Sequence, residues 1–140
     1  PPDCLACFSN IMRLSRASLH WARAVVAVLF WPALALVIWT SLIVFTLPPI
    51  LRLNFQDLIA HFIAYSGLAG MAAMALHTRK AAIWAVALLI AMGATLEILQ
   101  GFTGRETDLY DAVANSAGAL CGGFFGRAIV EPLYRRYVSN

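Results

Sequence analysis

Residues 24–47, AVVAVLFWPALALVIWTSLIVFTL, are 24 consecutive positions without a charged side chain. As an α-helix such a run reaches about 36 Å, longer than the ~30 Å hydrocarbon core of a bilayer, and so predicts a tilted membrane span. Pro32 falls inside it. Its missing N–H would end a helix in water, but lipid-embedded helices tolerate the break because neighbours satisfy the freed carbonyl. The run is too long for a secretory signal and closes on Pro48-Pro49 rather than on a small-residue cleavage pattern, so it reads as a retained span.

Three more apolar segments follow, at 57–76, 81–100 and 110–130. Only His77 to Lys80 separates the second from the third, which predicts an antiparallel hairpin. The fourth has few large apolar residues but carries Gly118-x-x-x-Gly122-x-x-x-Gly126, a pattern for close helix approach, and Gly67 with Gly70 offers similar room on the second span. The whole chain is 61% hydrophobic and 12% charged, far from the roughly 45–50% and 25% of soluble domains. The net charge of +3 comes from basic residues spread over loops and ends, not gathered in a stripe, so nucleic acid is excluded as a partner.

Orientation follows from those basic residues. Arg13, Arg16, Arg23, Arg79, Lys80, Arg127, Arg135 and Arg136 fall on one side of a four-span layout, and only Arg52 and Arg105 on the other. The expected architecture is an all-α membrane protein. It has an N-terminal tail with an interfacial amphipathic segment (1–23), a four-helix transmembrane bundle (24–130) and a tail at 131–140, with both termini cytoplasmic. The expected location is the cytoplasmic (inner) membrane, as a multi-pass protein. Cys4-x-x-Cys7 has redox spacing but no second pair, and Cys121 lies in an apolar run where it is expected to pack as a small hydrophobe.

Ionisable groups within spans cost roughly 2.5–3.5 kcal/mol each at a helix centre, so their positions are informative. Asp57, His61 and Tyr65 share one face of the second span. Glu97 and Gln100 lie on a stripe near the same membrane surface, and Asp108, Asp111 and Asn115 continue the rhythm into the fourth span. The connecting loop GFTGRETDLY holds Arg105, with four acids (Glu97, Glu106, Asp108, Asp111) against this one base over residues 97–111. Arg105 is expected to pair with one or more of these carboxylates, and Tyr65 to satisfy its hydroxyl within the bundle. His61 has a bland reading, a hydrogen bond to Asp57 one turn earlier or to a carboxylate of another helix, and a functional one, acid/base chemistry or ligation. No spacing has the specificity of H-E-x-x-H, so neither a metal nor a cofactor is expected.

Three segments together, Asp57-x-x-x-His61-Phe62-x-x-Tyr65-x-x-Leu68, Glu97-x-x-Gln100 and Arg105-x-x-Asp108-x-x-Asp111-x-x-x-Asn115-x-x-Gly118, resemble the VanZ-like family over about residues 55–126. Leu58 stands where that family's pattern usually has Lys. The resemblance implies a small multi-helix membrane protein, in a family named for a teicoplanin-resistance protein, and supplies no reaction. Two functional classes compete with a packing-only network. One is a binding or envelope-modulating protein engaging membrane lipids or a lipid-linked cell-wall component, with Arg105 as anion contact and Asp57, Tyr65, Gln100, Asp108, Asp111 and Asn115 around it. The other is a membrane-embedded acid/base or metal-assisted enzyme acting on a lipid-linked envelope substrate, with His61 or Glu97 as base, Arg105 as charge stabiliser and Asp57, Asp108 and Asp111 as orienting groups or metal ligands.

Overall fold

The computed structural model describes residues 16–43, 55–102, 108–130 and 132. The described residues are almost wholly helical: α1 (Arg16–Leu42), α2 (Gln56–Ala75), α3 (Arg79–Phe102) and α4 (Leu109–Phe125), the last widening into a π-helical turn at Gly126–Val130. All four are long and apolar enough to cross a bilayer. Their outer faces carry Trp31, Leu36, Trp84, Leu88 and Phe124, each more than half exposed. Such a surface would aggregate in water, whereas lipid covers it at no cost.

No Gly or Pro interrupts the stretch between Arg16 and Ala24, and the amphipathic segment therefore runs straight into the first span as one helix. Helix α1 also passes through Pro32 unbroken. At the α2–α3 hairpin the Thr78 hydroxyl accepts from the Ala81 N–H at 3.1 Å, capping the start of α3.

Close contacts fix the helix directions. Along α4 and α2, Gly118 faces the carbonyl of Phe62 and Gly122 that of Ser66, while Gly126 faces Gly70 and Ala73. Both numbers rise together, so α2 and α4 run parallel, and theirs is the most extensive interface of the bundle. A Cβ at Gly118 or Gly122 would overlap backbone atoms that cannot give way, which is why this contact demands glycine. Gly67 instead points to open space and has no part in the interface. Gly93 meets Asn115 and Gly123 meets Val86, making α3 antiparallel to α4. The Gln100 amide donates to the Ser41 carbonyl at 2.9 Å, which brings together the ends of α3 and α1.

This topology sorts charge by end. Arg23, Arg79, Lys80 and Arg127 fall at one end of the bundle, and Asp57, Glu97, Asp108 and Asp111 at the other. At the basic end the Arg127 guanidinium donates to the carbonyls of Ala73, Leu76 and His77, at 3.4, 3.1 and 3.3 Å. Ala73 and the C-cap Leu76 offer carbonyls that the end of α2 leaves without helical partners, His77 belongs to the hairpin, and a cation there also meets the negative end of the helix dipole.

Candidate functional site

At the acidic end, three helices contribute ionisable or amide side chains to one buried locus. α2 supplies His61 and Tyr65, α3 supplies Glu97 and Gln100, and α4 supplies Asp111 and Asn115. Of these, Tyr65, Glu97, Gln100, Asp111 and Asn115 are buried and His61 nearly so. The parallel α2–α4 contact is responsible: with no Cβ at Gly118 the backbones approach closely, and one turn earlier Asn115 and Asp111 come level with His61. Gly93 on α3 makes room for both the Tyr65 ring and the Asn115 side chain, whose atoms stand 3.1 Å from where its Cβ would be.

His61 is held from two sides. Its Nδ1 lies 3.0 Å from Asn115 Oδ1, and its Nε2 lies 3.6 Å from Asp111 Oδ2. A carbonyl-type oxygen can only accept, so Nδ1 carries the proton. Nε2 is then the reactive nitrogen: charged, it forms an ion pair with Asp111, and neutral, it presents a lone pair toward the carboxylate across a gap too long for a direct hydrogen bond. Donor atoms of His61, Glu97 and Asp111 all lie within 4.8 Å of one another, an arrangement able to hold a metal ion. The Tyr65 hydroxyl is fully buried, lies within electrostatic reach of Glu97, and has no hydrogen-bond partner among the described residues, contrary to the expectation that the bundle satisfies it.

Not every polar residue singled out in the sequence joins this locus. Asp57 is exposed, and the partners of His61 come from α4 rather than from Asp57 one turn away. Asp108 is exposed as well and is the N-cap of α4, its Oδ1 accepting from the Tyr110 N–H at 2.9 Å. Gln100 does belong to the locus, and its amide also reaches α1 by donating to the Ser41 carbonyl, a partner with no sequence signature because any residue supplies a carbonyl. Arg105 and Glu106 lie outside the described residues, as do Cys4 and Cys7. Cys121 is exposed on the outer face of α4 rather than packed inside.

Fold and locus together define a multi-pass α-helical membrane protein with a buried polar site drawn from three spans near one end. The VanZ/LLP1 family model matches residues 11–130, and the chain belongs to that family. No curated protein and no solved structure matches it.

Proposed function

We propose that the protein binds the polar head of a lipid-linked cell-envelope component at the buried cluster of His61, Glu97, Asp111 and Asn115. In this reading the basic end of the bundle lies in the cytoplasm, following the positive-inside rule, and the cluster lies toward the extracytoplasmic side of the cytoplasmic membrane. The observation that carries the proposal is the convergence on His61 of partners from a second helix within a bundle otherwise built of apolar and small residues. Its depth also suits a lipid head. His61 lies five residues into α2 and Glu97 five residues before the end of α3, each about 8 Å below its helix end. Arg105 is the proposed anion contact, and an effect on how the surface is presented to glycopeptides would follow from occupancy of the site.

A second reading rests on the same histidine. Nδ1 anchored by Asn115 and Nε2 turned toward a carboxylate is the arrangement of an oriented general base, which suits a membrane-embedded enzyme acting on the bound lipid. Mass spectrometry of lipids that co-purify with the full chain tests both. A lipid-linked species enriched with wild type and lost in His61→Gln, Glu97→Gln and Arg105→Lys supports the site, and its chemical alteration on incubation supports the enzyme. Equal lipid content in wild type and all three variants would overturn both readings.

A further inference from the structure

We infer that His61, Glu97 and Asp111 form a binding site for one divalent transition-metal ion of the zinc class. The inference rests on the site of the preceding section but not on what that site binds or does. Three features point to a metal.

The donor set is the first. One imidazole nitrogen and two carboxylates, from three different helices, give three protein ligands of types that zinc accepts and an open fourth position, the ligand count of non-structural zinc sites. With bonds of about 2.0–2.2 Å, tetrahedral ligand atoms stand roughly 3.3–3.6 Å apart. His61 Nε2 and Asp111 Oδ2 already stand 3.6 Å apart, and all three donors lie within 4.8 Å of one another, so closing the shell takes carboxylate rotations on the order of 1 Å.

The orientation of the histidine is the second. Metal-bound imidazoles characteristically donate their other N–H to a protein oxygen, which fixes the tautomer and aims the lone pair. Asn115 Oδ1 is that oxygen, 3.0 Å from Nδ1, and the nitrogen left over is the one facing Asp111.

The third is independent of the ligands. The Tyr65 hydroxyl is fully buried beside Glu97 without a hydrogen-bond partner among the described residues, and a buried hydroxyl left so costs on the order of 1–3 kcal/mol. A water or substrate oxygen in the fourth metal position would be its partner. Calcium is a poorer fit, because it asks for six to eight oxygens. The sequence hides the site because its ligands come from three spans with no short motif.

Metal analysis of the full chain, purified in detergent, dialysed free of metal and reloaded with zinc, tests the inference. One zinc per chain is expected, retained in Asp57→Asn and Asp108→Asn, which change exposed acids outside the site, and the metal-free protein loaded with cobalt instead should show the visible absorption of a four- or five-coordinate ion. His61→Gln, Glu97→Gln and Asp111→Asn should each abolish it, and Asn115→Ala, which keeps all three donors, should weaken affinity about 10–100-fold. Because a ligand variant can fail to fold, the wild-type unfolding temperature is followed with and without zinc; a metal joining three helices raises it. Unchanged melting on zinc addition, stoichiometry below one per chain, or zinc retained in all three ligand variants would overturn the inference. Zinc binding with no effect of chelators on lipid co-purification would leave the metal site standing and separate it from the proposed function. Lipid dependence on His61 without zinc would do the reverse.

Discussion

The same two helices, α2 and α4, meet a polar group at each end of their shared interface, and the two ends resolve it differently. At the basic end Arg127 points at three main-chain carbonyls that have no other helical acceptor role. Among the described residues the partners of this cation are backbone carbonyls, which do not titrate. At the acidic end His61 meets Asn115 and Asp111, side chains that are themselves polar or ionisable, with Glu97 and the Tyr65 hydroxyl close by. A helix cap of the first kind holds the bundle together. A cluster of the second kind can change protonation, partner or ligand, and is the better candidate for function.

Breaking the interface itself should have the largest effect and remove the contrast altogether. Gly122→Leu places a side chain into the Ser66 backbone, which cannot yield. The loss of stability should reach or exceed the upper end of the roughly 1–3 kcal/mol typical of overpacking, read as a lower unfolding temperature in detergent and as loss of both ends together. Arg127→Ala comes next. Charge-assisted hydrogen bonds contribute about 1.5–3 kcal/mol, so this variant should lose stability of that order while whatever remains folded keeps its lipid and metal content. Asp108→Ala removes the N-cap of α4 and should cost about 1 kcal/mol in chemical or thermal unfolding without touching ligand content. Smallest is Asp57→Asn, an exposed acid with an expected stability change within about 0.5 kcal/mol. A loss of co-purifying lipid in Asp57→Asn would extend the site to the surface and redraw the comparison.

Much of the architecture is legible in the sequence because lipid simplifies the code. Apolar length sets the number of spans, and the Gly118, Gly122, Gly126 spacing announces a close helix contact. His61, Tyr65, Glu97, Gln100, Asp111 and Asn115 are legible as ionisable or amide groups that must face protein rather than lipid, and the structure gathers them. What the spacing could not supply is the partner of each group. Asp57 and Asp108 continue the same helical stripes as His61 and Asp111, yet they sit at or beyond the helix ends, where exposure or capping satisfies them without burial. Helical periodicity also placed Gly67 beside Gly70 as packing surface, although the interface runs through the face that holds Ser66 and Gly70. That α1 is already helical at Arg16, ahead of the apolar run at 24, has a similar cause, since loss of hydrophobicity marks the edge of the membrane and not the end of a helix.

The central claim is that the acidic end is a site and the basic end a structural cap. Its most direct test measures co-purified lipid-linked species in His61→Gln and Arg127→Ala, each normalised to the folded fraction. The expected result is ligand lost in His61→Gln at a near wild-type unfolding temperature, and ligand kept in Arg127→Ala at a lowered one. Parallel loss of ligand and stability in both variants, or ligand unchanged in His61→Gln, would contradict the division between the two ends.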